Sequence, residues 1–211
     1  MAPGGDSAMI YLLPGMGADR RMYGPKWKGL PNATFPNWPP FSGQTTLGEV
    51  ADQLIAEHDI APRDVIGGSS LGGMVALEIF QRLKNPKVVL LGSALSPGEI
   101  NTLLRLLAPL ASITPFGLLQ VLVGKHPSDA AVMFAEADPK FVRAMCLALR
   151  DWQGFDGPHD RLVRIHGAKD HVITCPAEGH ILPRAGHLVA MTHAAQCIRV
   201  LSACLRGGSC A

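Results

Sequence analysis

The sequence predicts an α/β fold, with a doubly wound, mainly parallel sheet of about six strands and a small helical cap. Short apolar runs of strand length alternate with segments of helical periodicity, the pattern of a parallel sheet with crossover helices. One junction, "VIGGSSLGGMVALEI" at 65–79, runs from a strand-like stretch through paired glycines into a helix-like one. From Ser96 to about Gly154 the alternation stops and helical patterns take over, which predicts a cap inserted between two strands. With 211 residues, 47% of them hydrophobic, the chain can bury one sizeable core, so a single domain over 1–211 is expected.

The first strand is Met9 to Leu13, and Ala33 to Phe35 is a weaker second. "TTLGEVADQLIAEH" opens on a Thr46-x-x-Glu49 capping box and repeats apolar groups at Leu47, Val50, Leu54 and Ile55, one buried helical face. Asp64 to Gly67 is the third strand. The helix after it, "LGGMVALEIFQRLK", is apolar almost all round and belongs in the middle of the fold. Lys87 to Leu91 follows as the fourth strand. Within the cap, Asp138 and Pro139 form an N-cap and N1 pair for a helix from Pro139 to Trp152. Leu162 to His166 and Gly179 to Leu182 complete the sheet. A final helix over Leu188 to Leu205 is expected to bury Leu188, Met191, Ala195, Ile198 and Leu201, and "RGGSCA" trails off as a frayed end.

Composition narrows the function classes. A formal charge of +2, from 19 basic and 17 acidic residues interspersed along the chain, lacks the basic stripe that nucleic acid requires. The amino terminus has no basic flank and does not read as a signal peptide, and five cysteines without a C-x-x-C pair fit reduced thiols, so a cytoplasmic protein is expected. The uncharged stretch Leu106 to Val123 approaches a membrane span in length, but Pro109, Pro115 and Gly117 break it into pieces suited to helices packed on protein. No H-E-x-x-H motif or carboxylate cluster asks for a metal, and no cofactor is expected. Nothing in the sequence sets the oligomeric state.

Gly68-Ser69-Ser70-Leu71-Gly72 satisfies G-x-S-x-G only with Ser70 at its centre, because a frame on Ser69 would need glycine at Leu71. At a sharp strand-to-helix turn, side chains two residues before and two after the serine would collide. Gly68 and Gly72 remove those side chains, and Gly73 lets the helix lie close to the sheet. The helix N-terminus aims N–H groups at the same place, ready for an oxyanion. The motif alone leaves open a serine-capped turn or a nucleophile, with Ser69 a neighbour pointing away from the pocket.

In these residues the chain resembles the α/β-hydrolase superfamily, as a small, trimmed member similar to serine esterases, and the resemblance covers Met9 to Leu205. It implies an oxyanion loop in "LLPGMGADRRMY", with the Met16 and Leu71 backbone N–H groups as the donors. The histidine that the family keeps in this loop is Pro14 here, so no residue is assigned to brace it.

A serine hydroxyl needs a histidine base, and the base needs a carboxylate to orient it. The family supplies them in the order serine, acid, histidine. "LVRIHGAKDHVI" resembles the family's strand followed by H-G-x-x-D, which makes Asp170 the acid. Asp156 and Asp160 precede that strand, at the opposite sheet edge, as solvated loop carboxylates. His187 in "PRAGHLVAMTHA" stands just before the final helix, where the family keeps its base. His193 falls inside that helix, His180 in the last strand, His166 in the strand before Asp170, and His171 in the loop after it.

The resemblance implies a serine hydrolase that cleaves a small, apolar carboxylic ester through an acyl-enzyme. Thioester or lactone hydrolysis, a lipase-like enzyme with 106–123 as a lid, and a non-catalytic ligand receptor of the same fold are the alternatives. The cap's Leu103, Leu104, Leu107, Leu118, Leu119 and Leu122 suit an apolar acyl pocket or packing on the sheet equally well.

Overall fold

The structure, a computed structural model, describes residues 8–101 and 128–206. Six strands, β1 (Ile10–Leu13), β2 (Ala33–Thr34), β3 (Val65–Ser69), β4 (Val88–Leu91), β5 (Leu162–Gly167) and β6 (His180–Leu182), form one sheet in the order β2-β1-β3-β4-β5-β6. Every neighbouring pair is parallel. Each strand falls within two residues of its sequence-predicted bounds. β3 runs two residues further than expected, to Ser69, because the paired glycines leave its backbone free to pair with β4, Ser69 opposite Leu91.

A strand buried on both faces sends alternate side chains into two cores. Leu13, Ile66, Val88 and Leu90 meet one core, made with α1 (Leu47–His58), α2 (Leu71–Leu83) and α4 (Pro139–Asp151). Ile10, Leu12, Val89, Leu91, Val163 and Ile165 meet the other, made with Trp27 of a 3-10 turn (Pro25–Gly29), α5 (Val189–Thr192) and α6 (Ala194–Leu205). Each fully buried leucine contributes about 1.5–3 kcal/mol relative to exposure. α2 has nine buried residues, Leu71 to Leu77, Ile79 and Phe80, which is why its sequence is apolar on all sides.

Both halves of the Thr46/Glu49 capping box are present at the start of α1. Leu47, Val50, Ala51 and Leu54 form its buried face, with Ile55 at the margin. Asp138 caps α4 by accepting from the Lys140 amide at 2.8 Å. β4 and β5 pair directly, so the chain between them, including α3 (Ser128–Glu136) and α4, is an excursion from the sheet. The uncharged stretch 106–123 and the cap leucines at 103–122 lie outside the described residues. Among the described residues no helix is long and apolar enough to cross a membrane.

The carboxyl-terminal helix differs from expectation. His193, at φ −124° and ψ 32°, breaks it into α5 and α6. The break rotates the second segment, so Ala194, Cys197, Leu201 and Cys204 face the sheet while Ala195 is exposed. A single helical stripe drawn through Leu188 and Ala195 missed this, and it passed over cysteines that behave as small apolar residues in the core.

Candidate active site

The sheet order fixes where a crevice can open. From β1 the chain crosses to β2 on one side, whereas β3 lies on the other, so the loops leaving the carboxyl ends of β1 and β3 diverge. Parallel sheets hold ligands at such a switch point. The Pro14–Gly17 loop leaves β1 there, and Ser70 leaves β3.

Ser70 sits at φ +52° and ψ −118°, a conformation that L-residues rarely hold and that persists only where the surroundings enforce it. The enforcement is visible in main-chain contacts. The Ser70 amide donates to Leu91 O at 3.1 Å, and its carbonyl accepts from the Gly73 amide at 3.0 Å and from the buried Ser93 hydroxyl at 2.7 Å. A Cβ on Gly68 would fall 2.5 Å from the Gly72 carbonyl carbon, and one on Gly72 would fall 2.4 Å from Pro14 O. β1, β3 and α2 therefore meet at backbone distance around Ser70. Ser69 is 1% exposed at the end of β3, while Ser70 is partly exposed.

The start of α2 and the Pro14–Gly17 loop border this serine. Leu71 N–H opens α2, a position with no acceptor inside the helix. Gly15 lies against Ser70, where a Cβ on it would fall 3.7 Å from the Ser70 Cβ, so the Pro14–Gly17 loop passes beside the serine. Pro14 cannot brace this loop through a side-chain hydrogen bond, and three other residues do. Trp38 Nε1 donates to Gly15 O at 3.0 Å, Met22 Sδ accepts from Gly15 N at 3.2 Å, and Tyr23 OH donates to Leu13 O at 2.6 Å. α3 and α4 pack on the same loop. The Phe134 ring fills the space a Cβ on Gly17 would need, Cys146 Sγ lies 3.5 Å from Met16 Sδ, and the Phe141 ring packs on Trp38 at 5.2 Å between centroids. Burial pushes the Cys146 thiol up to about 11, so it stays protonated there.

His187 Nε2 lies 3.0 Å from Ser70 Oγ, and its Nδ1 lies 2.9 Å from Asp170 Oδ2. Asp170 and His187 are 9% and 8% exposed. Asp170 Oδ1 accepts from the Val172 and Ile173 amides at 2.8 and 3.0 Å. Burial alone would raise this carboxyl. Hydrogen bonds from His166 and His187, the electrostatic attraction of the adjacent His187 ring and the Ile173 amide outweigh it, and the group is held well below the usual carboxylate range. Asp170 is thus an ionised acceptor beside a histidine whose other nitrogen faces a hydroxyl. That arrangement can move a proton from Ser70 Oγ onto His187 Nε2.

Of the other residues weighed in the sequence, Asp156 and Asp160 are exposed before β5, at the far end of the sheet. His171 is exposed, His180 lies 3.8 Å from Cys204 Sγ in β6, and His193 is the break in the last helix. Sequence reasoning missed His166, 1% exposed, whose Nε2 lies 3.1 Å from the same Asp170 oxygen that His187 contacts. Its signal in the sequence is its place as the histidine of the H-G-x-x-D pattern, four residues before Asp170. Ser93 and Trp38 were missed as well, since neither belongs to a motif.

Residues 5–200 match the model of the alpha/beta hydrolase family. A thermophilic esterase from Thermogutta terrifontis is similar in fold, with a TM-score of 0.78 at 18% identity over 96% of this chain and 90% of that one. The enol-lactonase from Burkholderia xenovorans LB400 gives 0.77 at 16% identity over 97% and 94%. The hydrolase olei00960 from Oleispira antarctica gives 0.76 at 14% identity over 97% and 93%. No curated protein sequence matches the chain. The family match begins before β1 and ends within α6, taking in the whole sheet and the turns that carry Ser70, Asp170 and His187, so the chain belongs to the alpha/beta hydrolase family.

Proposed function

We propose that the protein is a serine hydrolase that cleaves a small, apolar carboxylic ester, with Ser70 as nucleophile, His187 as general base and acid, and Asp170 as the residue that orients His187. The observation that carries this reading is the continuous chain of contacts from Ser70 Oγ to His187 Nε2 at 3.0 Å and from His187 Nδ1 to Asp170 Oδ2 at 2.9 Å. In the reaction His187 takes the Ser70 proton as Oγ attacks the ester carbonyl. The Met16 and Leu71 amides receive the oxyanion, and His187 returns the proton to the leaving alcohol. Water activated by the same histidine then releases the acid. In this reading residues 1–211 form one domain, with 96–154 as a helical cap whose packing on the Met16 loop shapes the acyl pocket.

A lactone is an internal ester, open to the same attack, and the fold shared with an enol-lactonase favours lactone cleavage as a second reading. Labelling of the purified protein by a fluorophosphonate probe, abolished in Ser70→Ala, is the first test. A panel of esters of increasing acyl length beside a matched lactone then reads substrate class from kcat/KM. Ester hydrolysis by folded Ser70→Ala near the native rate sinks the assignment, and ligand binding without labelling or turnover makes the protein a receptor instead.

A further inference from the structure

Asp170 is held on all sides. Oδ1 is fixed by two backbone amides, and Oδ2 has two histidine nitrogens on it, His187 Nδ1 at 2.9 Å and His166 Nε2 at 3.1 Å. His166 Nε2 is hydrogen-bonded to Ile173 O at 3.2 Å and lies 3.1 Å from Asp170 Oδ2, both acceptors, so this nitrogen carries a hydrogen, and the two oxygens share it. The two histidines differ in mobility by construction. His166 is built into β5 and is 1% exposed, while His187 stands in the turn before α5, beside a partly exposed serine. We propose that His166 is a positioning residue for the acid, donating its Nε2–H to Asp170 Oδ2 so that this oxygen stays aimed at His187 Nδ1 through the catalytic cycle.

A carboxylate anchored at one oxygen can still pivot about that anchor. Two backbone amides hold Oδ1 from the 172–173 turn, so Oδ2 is the atom free to swing. When His187 shifts its Nε2 contact from the Ser70 hydroxyl to a leaving group, the bond at Nδ1 is stressed as well. A donor in the sheet keeps Oδ2 in place at that moment, and it fills the second lone-pair position that would otherwise take up a water. The Ile173 peptide closes the arrangement, since its N–H donates to Asp170 Oδ1 while its carbonyl faces His166. His166, Asp170 and the 172–173 turn thus form one rigid block against which His187 moves.

This inference rests on the assignment of Ser70 as nucleophile, and labelling of the native protein, blocked by Ser70→Ala, tests that assignment separately. Given labelling, two variants isolate the donated proton. In His166→Gln the amide nitrogen can take the Nε2 position and donate, whereas His166→Met fills similar space without a donor. Fluorophosphonate labelling and kcat for a p-nitrophenyl ester are expected to fall on the order of 10- to 100-fold in His166→Met at little-changed KM, and to recover most of that loss in His166→Gln. Native rates in folded His166→Met overturn the proposal. So does an equal loss in both variants, which makes His166 a matter of packing. Where His166→Met does not fold, the ¹⁵N-histidine spectrum decides: a hydrogen on His166 Nε2 whose signal shifts in Asp170→Asn supports the proposal, and an unprotonated Nε2 or a signal unmoved by Asp170→Asn overturns it.

Discussion

The Ser93 hydroxyl donates a 2.7 Å hydrogen bond to the main-chain carbonyl of Ser70, across the gap between the β4 and β3 strand ends. Ser93 is fully buried, and a Cβ on Gly73 would fall 2.4 Å from its Oγ. The residue that stabilises the strained turn therefore also occupies the space a side chain at position 73 would need.

Replacing Ser93 by alanine removes this bond but leaves the Gly73 and Met74 amides on the Ser70 carbonyl. The turn should persist with about 1 kcal/mol less stability, a fall of roughly 2–4 °C in melting temperature. Labelling at Ser70 should slow severalfold at most, on the order of a few tenths to 1 kcal/mol in barrier. A melting temperature equal to native would show that the hydroxyl contributes nothing to holding the turn.

Gly72→Ala tests the turn sterically. The added carbon would meet Pro14 O at 2.4 Å and Leu13 O at 2.5 Å, both main-chain atoms that cannot rotate away. Overpacking of this kind costs about 1–3 kcal/mol or more, and here the strand β1 itself would have to move. Gly24→Ala is the matched control, since nothing lies within 4 Å of a Cβ there and φ is −63°. Denaturant midpoints should separate the two, with Gly24→Ala within about 0.5 kcal/mol of native.

Trp38→Phe removes the indole N–H that holds Gly15 O while keeping an aromatic ring beside Phe141. If the Met16 amide serves the oxyanion, a looser loop should lower kcat on the order of tenfold and leave KM nearly unchanged, the mark of an interaction made in the transition state. A rise in KM with native kcat would instead make Trp38 part of the substrate pocket.

The sheet was readable in the sequence because central parallel strands are continuous apolar runs, such as Val88 to Leu91, bounded by turn residues. The last helix was readable as a helix but not as a broken one. His193 carries no glycine or proline to announce the break, and the face of α6 was set by packing of Cys197 and Cys204 rather than by the larger residues. In the site, the G-x-S-x-G frame pointed to Ser70, and the family resemblance, through H-G-x-x-D and the place before the final helix, implied Asp170 and His187. Their separation in space was not legible, since it depends on strands β3, β4 and β5 lying side by side. The braces were illegible for the same reason. Trp38 and Ser93 each act on an atom of another strand or loop, and such contacts leave no periodicity or spacing, whereas His166 stands in the H-G-x-x-D pattern with nothing in it to say which way its ring faces.

Asp170→Asn joins the site to the stability of the whole chain. An amide can turn its oxygen toward either the Val172 and Ile173 amides or the two histidines, and its NH₂ group then opposes donors on the other side. Hydrolysis should drop on the order of a thousandfold or more at neutral pH. The pH dependence of stability has a definite sign. In the folded protein the Asp170 carboxyl is held below its usual value against burial, by His166, His187 and the Ile173 amide, whereas in the unfolded chain it titrates at about 3.9. Above that value both states are ionised and the favourable contacts count in full. As pH falls through it, the unfolded chain takes up a proton that the folded protein does not, and the contribution is progressively lost. The stability gap between native protein and Asp170→Asn should therefore be widest at neutral pH and narrow as pH falls below about 4. Urea midpoints for both proteins across that range read the gap directly, and a gap that stays constant or widens on acidification would mean that Asp170 is not held as a charged, fully hydrogen-bonded acceptor.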